Sequence, residues 1–249
     1  MSELTVKNLA AEYDGQAALD KINFSLPTGQ TVAIVGPSGC GKSTLLKAVA
    51  GLIPRRGEIL LKGEPLDPRR HKISFMPQDY GLLPWRTVRE NILLPARVRR
   101  DKESQAGFDY LVERLGLSDL TERYPGEISG GERQRTALAR TFLAAPDILL
   151  MDEPFSALDA ITREAMQELF FSLWRDNAVT TLLVTHYMNE ALYLGQRIML
   201  MSWGGKIEAV PENPAFGTGD LSERPELIAF GQRIKRRIKE MGSKPCGKT

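Results

Sequence analysis

The stretch that decides the fold is TVAIVGPSGCGKSTLLKAV, residues 31–49. It begins with a short apolar run of the buried-strand type, and the run leads straight into a glycine-rich loop. Leu45, Leu46 and Val49 then have the spacing of one face of a helix, and Gly51 follows where a C-terminal cap is expected. The stretch therefore predicts a strand, a loop and a helix in direct succession.

The loop, Gly36 to Ser43, matches the pattern G-x-x-x-x-G-K-[ST] at every fixed position. Its glycines allow backbone N–H groups to surround phosphate oxygens, and the start of the next helix favours negative charge. Lys42 is placed to reach the β- and γ-phosphates, and Ser43 to ligate Mg²⁺. A glycine turn without a nucleotide is the alternative, and the flanking strand and helix argue against it. The predicted phosphate-binding residues are Gly36, Pro37, Ser38, Gly39, Cys40, Gly41, Lys42, Ser43 and Thr44.

An acidic pair lies in ILLMDEP, residues 148–154. Asp152 ends an apolar strand, and ligands gather at the carboxyl ends of strands in open α/β sheets. We expect Asp152 to bind Mg²⁺ through water and Glu153 to orient or deprotonate the attacking water. Considered without the rest of the chain, the two residues could equally well be a solvent-exposed acidic pair at the end of a strand. The presence of the phosphate loop favours the catalytic interpretation.

Two further polar residues follow strand-like runs. His186 ends TTLLVTH, residues 180–186, and Gln78 follows KISFMP, residues 72–77. A lone histidine is more often structural, and a lone glutamine means little. Beside a phosphate loop, a contact from His186 to the γ-phosphate becomes the better interpretation.

The segment ISGGERQRTALAR, residues 128–140, predicts the N-terminus of a helix, with a capping box formed by Ser129 and Glu132. The box does not explain Gly130 and Gly131, because each glycine costs a helix roughly 1 kcal/mol relative to alanine. Bare N–H groups at a helix N-terminus do explain them if a phosphate must approach closely. The segment therefore predicts a second phosphate contact.

The order of strands and helices predicts a mainly parallel, three-layer α/β core. We expect this core, with a β subdomain, over residues 1–82 and 146–210, a helical insertion over 83–145 and a basic tail over 211–249. The insertion contains apolar residues with the spacing of one helix face. The tail predicts a basic helix, which either packs on its own domain or contacts anionic lipid or a partner. The face is formed by Phe108, Leu111, Val112 and Leu115, and the tail helix carries Phe230, Ile234, Ile238 and Met241.

Composition narrows the class of protein. The 249 residues are 42% hydrophobic and 26% charged, as in a folded globular protein. The net charge of +2 is too small to indicate a nucleic-acid partner by itself, and we expect none. The two cysteines give no disulfide framework, and no apolar run approaches the ~20 residues that span a bilayer. With no signal pattern at the N-terminus, we expect a cytoplasmic protein.

Together these motifs resemble the ATP-binding cassette (ABC) family, specifically a stand-alone nucleotide-binding subunit of a transporter, over about Leu4 to Ile207. The resemblance implies a P-loop NTPase (RecA-like) core with an antiparallel β subdomain and a helical insertion. It makes residues 128–135 the signature and places Gln78 in a loop that serves Mg²⁺ and catalysis. It also makes Tyr13 the aromatic residue that stacks on adenine, where a surface tyrosine is the alternative.

The resemblance also implies a mechanism. Two cassettes, expected to be identical, dimerise head to tail around two ATP molecules, and closure moves attached membrane domains. Ser129, Gly130 and Gly131 would contact the γ-phosphate held by Lys42 of the other copy. Asp159 would communicate between the sites. The expected partners are a second cassette, an integral membrane permease and, indirectly, an extracytoplasmic binding protein, with the chain on the inner face of the membrane.

The segment GLLPWRTVRENILLP, residues 81–95, resembles cassettes of importers for nitrate, sulfonates, taurine, bicarbonate or thiamine precursors. Leu83 and Trp85 would anchor the permease there, or else pack inside the protein. The chain departs from the family pattern at Ile128, where Leu is usual, and at Tyr187 and Gln196, where Asp is usual.

Two other functions are compatible with a cassette: a soluble ABC ATPase acting on nucleic acid or ribosomes, and a regulatory cassette that does not hydrolyse ATP. The first usually carries coiled coils or two cassettes in one chain. Intact Lys42, Asp152, Glu153 and His186 argue against the second.

Overall fold

A computed structural model describes residues 2–13, 16–99, 104–219 and 224–242. The chain forms two compact units. The phosphate-loop unit comprises residues 1–71 and 178–249, and the signature unit comprises residues 72–177. The three-part division expected from the sequence stays a prediction. No helix in the described ranges is long and apolar enough to cross a membrane.

The secondary structure alternates between strands and helices along most of the chain. Two single 3₁₀ turns, Ser118–Leu120 and Pro125–Glu127, interrupt the helical part. In chain order the elements are β1 (Ser2–Tyr13), β2 (Gln16–Pro27), β3 (Thr31–Val35), α1 (Lys42–Val49), β4 (Arg56–Leu61), β5 (Glu64–Pro65), β6 (Ile73–Met76), α2 (Val88–Arg99), α3 (Ser104–Arg114), α4 (Gly130–Leu143), β7 (Ile148–Asp152), α5 (Ala160–Asn177), β8 (Thr180–Val184), α6 (Met188–Leu194), β9 (Arg197–Ser202), β10 (Lys206–Ala209) and α7 (Pro225–Gly242).

The strands of the phosphate-loop unit pair in two ways, antiparallel and parallel. β2, β1, β4 and β5 form an antiparallel sheet in that order, whereas β3 pairs in parallel with both β8 and β9. Every residue of β3 and β8 is buried, as expected for parallel strands covered on both faces. β9 pairs antiparallel with β10, and Gly204 and Gly205 lie in the turn between them. β3 therefore delivers the chain from a rigid interior to the phosphate loop.

The C-terminal helix α7 packs against its own unit. Leu227, Phe230 and Ile234 are buried in a cluster with residues of α6, β3 and β9, and Ile238 and Met241 lie against it. The cationic side chains face outward; they are Arg233, Lys235, Arg236, Arg237 and Lys239. The interpretation of the tail as a helix packed on its own domain is thereby confirmed.

The signature unit contains one parallel strand pair, β6 with β7, and the helices α2 to α5. Helices α2, α3 and α4 lie within residues 83–145, and the predicted apolar face (Phe108, Leu111, Val112 and Leu115) is buried. Asn91 is fully buried and bonds the backbone of Leu83 in both directions, at 2.8 and 3.1 Å. This fixes the loop before α2, where Leu83 is half-buried and Trp85 is 70% exposed.

Candidate nucleotide site

The phosphate loop has a shape that only glycine permits at two of its positions. A Cβ atom on Gly36 would lie 2.3 Å from the Met201 carbonyl oxygen. Gly41 has φ +102°, and its Cβ would lie 2.6 Å from the Ala18 carbonyl oxygen. The loop is therefore pressed against the backbone of its own unit, which holds its N–H groups in one arrangement.

The lysine of the loop is buried inside it. Lys42 is 8% exposed, and its Nζ donates to the carbonyls of Gly36 (3.0 Å) and Pro37 (2.8 Å). No side chain caps α1, and its first turn holds no acidic residue. The positive end of α1 and the ammonium group together make this loop a site for an anion.

Cys40, in the same loop, is a buried free thiol. Burial raises the pKa of the Cys40 thiol above its ordinary value, and the nearby Lys42 charge opposes that rise. Its Sγ lies 4.0 Å from Lys42 Nζ. The thiol therefore stays protonated at neutral pH.

His186 follows β8 and is exposed. The preceding Thr185 donates its N–H to Ile34 O at 3.2 Å, and its Oγ1 accepts from the N–H of Tyr187 at 2.9 Å. The histidine is thus tied through Thr185 to β3, the strand that leads into the phosphate loop. Tyr13, the predicted adenine contact, ends β1, but its side chain lies outside the described residues.

Both departures from the family pattern in this unit have structural roles. Tyr187 is the N-cap residue of α6 but makes no side-chain cap, where Asp would offer one. Instead its ring packs on the His186 ring, with centroids 4.0 Å apart. The amide oxygen of Gln196 accepts from Thr31 N–H at 3.1 Å, at the end of β3 away from the phosphate loop. Tyr187 therefore contacts the ring of His186, and Gln196 contacts the backbone at the start of β3.

In the signature unit, the acidic pair sits where the sequence places it. Asp152 is the last residue of β7 and is buried. Glu153 has φ +49°, a conformation that few residues other than glycine adopt. Its carbonyl accepts from Ser156 N–H (3.2 Å) and Oγ (2.9 Å), and its Oε2 accepts from Gln78 Nε2 at 3.4 Å. The structure thus brings Gln78 and Glu153 together.

The predicted magnesium ligands suit a nucleotide-bound ion. The described residues hold no group of three or more His, Cys, Asp or Glu that would form a metal cage. Mg²⁺ prefers oxygen ligands, and beside phosphates it is usually bound through one or two carboxylates of the protein. The predicted ligands Asp152, Ser43 and Gln78 would supply one carboxylate, one hydroxyl and one amide oxygen, which are donors of the type that Mg²⁺ prefers.

The capping box of the signature is confirmed. Ser129 N–H donates to Glu132 Oε2 at 2.7 Å, and Glu132 N–H donates to Ser129 Oγ at 3.3 Å. The hydrogen bond from the Ser129 backbone lowers the pKa of Glu132. A Cβ on Gly130 would meet nothing nearer than 3.9 Å and one on Gly131 nothing nearer than 3.5 Å. Alanine would thus fit at both positions of this chain.

Asp159 caps the next helix. Its Oδ1 accepts from Thr162 N–H at 3.0 Å, at the start of α5. The hydrogen bonds with Thr162 lower the pKa of this exposed carboxyl group. The structure thereby gives Asp159 a local role, and communication between ATP sites stays a prediction.

Sequence reasoning missed two residues of α4 that bind the loops around the acidic pair. Gln134, fully buried, donates from Nε2 to Pro154 O at 2.9 Å. Arg140 donates to Tyr80 O at 2.5 Å and Gly81 O at 2.6 Å. A signal was present, because Gln134 precedes the buried Ala137 and Leu138 by three and four positions. A polar residue on the apolar face of a helix needs a partner.

The comparison with known families decides what these two loops belong to. The ABC transporter family model matches residues 19–156, more than half of the chain and both glycine-rich loops. The chain belongs to the ABC transporter family. The predicted family and the ATPase activity of this cassette are thereby confirmed.

Relatives match this cassette almost from end to end. The taurine import ATP-binding protein TauB of Shigella dysenteriae is 37% identical, covering 95% of this chain and 97% of that protein. TauB of Escherichia coli (strain UTI89) is 38% identical over the same shares.

Solved structures confirm the fold of the cassette. A dimeric post-hydrolysis state of the ATP-binding cassette MJ0796, bound to ADP and Pi, has a TM-score of 0.75 and 31% identity, covering 84% of this chain and 98% of that one. A second dimeric MJ0796 structure has a TM-score of 0.74 and 30% identity over the same shares. The predicted ABC ATPase fold is therefore correct.

Proposed function

We propose that this cassette is the ATP-hydrolysing subunit of an importer for a small sulfonate of the taurine type. The observation that carries the proposal is the 37% identity to a taurine import ATP-binding protein over nearly the whole of both chains. Related anions and small organic solutes form the wider class of cargo predicted from the segment at residues 81–95.

In the proposed site, the phosphate loop from Gly36 to Thr44 holds the ATP phosphates with its N–H groups and Lys42. Support comes from the enforced shape of the loop and the buried ammonium group. Mg²⁺ would be held by Ser43, Asp152 and Gln78. When bound, the ion neutralises charge on the β- and γ-phosphates. Tyr13 would stack on adenine.

Glu153 is the proposed general base for the attacking water, and His186 the proposed γ-phosphate contact. The carboxylate of Glu153 is held from one side by Gln78 and its backbone is held by Ser156. Such fixing of a base matters because proton transfer needs hydrogen-bond distance to the attacked water. Tyr187, packed on the His186 ring, would orient the histidine.

The functional form would be a head-to-tail homodimer in which the signature of one copy completes the ATP site of the other. Nothing in the described part of the chain requires glycine at 130 or 131, so the open space suits a ligand from outside it. The first N–H groups of α4 point along a helix N-terminus, where a phosphate is stabilised. The solved MJ0796 structures are dimeric cassettes, one with ADP and Pi.

The proposed membrane partner is a separate permease that contacts the loop before α2, with the cassette on the cytoplasmic side of the membrane. Trp85 is exposed there on a loop that Asn91 holds in place, and exposed tryptophans are frequent anchors of interfaces. An extracytoplasmic binding protein would deliver cargo to the permease and act on the cassette indirectly.

The test is reconstitution of the cassette with its permease in liposomes, with taurine-loaded binding protein supplied on the opposite side. We expect ATPase activity that rises with the loaded binding protein, and Glu153→Gln to bind ATP, stall hydrolysis and stay dimeric. Ser129→Arg should block dimer closure while a dilute monomer keeps its ATP affinity. An ATPase rate indifferent to permease and cargo would refute the transport role, and normal hydrolysis by Glu153→Gln would refute the assigned base.

A further inference from the structure

Helix α4 reaches from the signature to the loop that carries the proposed base. Its first turn holds Gly130 and Gly131, and Gln134 lies one turn further along. The side chain of Gln134 crosses to Pro154 O, the carbonyl directly after Glu153. One amide therefore connects the two functional segments of the signature unit.

The hydrogen bond from Gln134 to Pro154 O requires the burial of a polar side chain, which is unfavourable. Gln134 is 0% exposed, and within the described chain its Oε1 has no hydrogen-bond partner. A buried unpaired amide oxygen destabilises a protein, and an apolar side chain of similar volume would avoid that penalty. A fold that needed only packing at this position would be better served by Leu or Met.

The segment that Gln134 contacts is also the strained one. Glu153 has a left-handed backbone conformation, which is unfavourable for a residue other than glycine and persists only where neighbouring groups enforce it. Ser156 bonds its carbonyl from the following turn, and Arg163 donates to Phe155 O and Leu158 O further on. From α4, Gln134 adds a hydrogen bond to Pro154 O, on the residue directly after Glu153.

We propose that Gln134 is a positioning residue that holds Glu153 in its catalytic orientation by donating a hydrogen bond to Pro154 O. This rests on the proposed role of Glu153 as the base. ATP binding depends on the phosphate loop, so loss of the amide donor should leave it intact. A misplaced base slows the chemical step instead, and a displacement of about 1 Å costs on the order of 100-fold in rate.

The experiment measures kcat and KM for ATP in the full cassette with its permease, for the parent, Gln134→Met and Glu153→Gln. We expect Gln134→Met to lower kcat by about 10-fold or more and to change KM less than about twofold. The matched control is Thr136→Val. Thr136 is equally buried on α4, but its Oγ1 bonds Glu132 O within the helix, so kcat should stay near the parent value.

Gln134→Glu supplies a readout that loss of packing would not move. Burial and the neighbouring Glu153 would raise the pKa of the new carboxyl group, and its protonated form can donate to Pro154 O as the amide does. The ratio of its kcat to the parent value should therefore rise as the pH falls from about 8 to about 6. The same ratio for Gln134→Met should not change with pH.

The outcomes separate this inference from the assignment of the base. Parent-like kcat in Gln134→Met, with Glu153→Gln inactive, overturns the inference alone. An equal loss of kcat in Thr136→Val, or a pH ratio for Gln134→Glu that stays flat at a lowered kcat, also overturns it. A Glu153→Gln variant as active as the parent overturns the assigned base and the inference together.

Discussion

The two glycine-rich loops of this cassette differ in what their glycines serve. In the phosphate loop, added Cβ atoms would lie 2.3 Å from backbone at Gly36 and 2.6 Å from backbone at Gly41. In the signature, Cβ atoms on Gly130 and Gly131 would meet only side chains at ordinary contact distance. The fold itself requires the first pair of glycines, whereas nothing in the described residues requires the second pair, which we propose serves a ligand from outside the chain.

The helices that follow the two loops also differ, in how their N-termini are capped. α1 begins at Lys42, its N-cap residue Gly41 supplies no side-chain cap, and Lys42 adds positive charge in the first turn. α4 begins with a capping box in which Ser129 and Glu132 satisfy each other. The proposed roles account for this difference: a loop that holds an anion is served by an uncapped helix end, whereas a loop that presents glycines to a partner's ligand can supply its own cap.

The largest effect is expected from Gly41→Ala. The new residue must take φ +102° and place its Cβ 2.6 Å from Ala18 O, so the loop has to move. Left-handed backbone alone costs about 1–2 kcal/mol outside glycine, and the displaced loop would lose its phosphate contacts. We expect a lower melting temperature together with loss of ATP binding, measured by calorimetry. A variant that keeps both would show that the loop is not fixed by its own unit.

Gly131→Ala is the matched change in the signature. It should leave the melting temperature unchanged or raise it slightly, because alanine favours a helix by up to about 1 kcal/mol. ATP hydrolysis should fall by about 100-fold, as when one donor to a transition state is removed. Lower stability with normal hydrolysis would mean that this glycine serves the fold, and the contrast between the loops would disappear.

Much of this architecture is readable from the sequence because the signals are local. The strand, loop and helix over residues 31–49, the capping box at Ser129 and the buried face around Phe108 each follow from a short pattern. The predicted tail helix is confirmed because its apolar spacing matches one helix face. Local patterns specify such elements without any knowledge of what they pack against.

The contacts that set the site were not readable, because they join segments distant in sequence. The bonds from Gln134 to Pro154 and from Arg140 to Tyr80 depend on how α4 packs in the signature unit. The left-handed backbone of Glu153 likewise has no sequence signal, since few side chains favour it. Motifs predicted the reacting groups, and packing supplies the residues that contact them.

Thiol labelling compares the two loops directly, in a Cys246→Ser background. Cys40 is 1% exposed and its pKa is raised by burial, so it should react slowly at neutral pH and faster only as the pH rises above the ordinary thiol range. A Ser129→Cys variant places a thiol on an exposed residue at a helix N-terminus, which favours the reactive thiolate. We expect it to react at least about 10-fold faster than Cys40. Similar rates would show that the phosphate loop opens readily in solution.

The smallest effect is expected from Glu132→Gln, which keeps an acceptor for Ser129 N–H and removes the charge. Since hydrogen bonding lowers the pKa of Glu132, its charge adds stability above the ordinary glutamate range, and this stability is lost as the pH falls through the lowered pKa. A carboxylate in a first helical turn contributes about 0.5 kcal/mol, so denaturant unfolding should show a difference near that size at neutral pH. The difference should shrink in acid, where both side chains are neutral. If it persists at low pH, the signature helix does not depend on the charge of its cap, and the electrostatic contrast with the uncapped α1 would not hold.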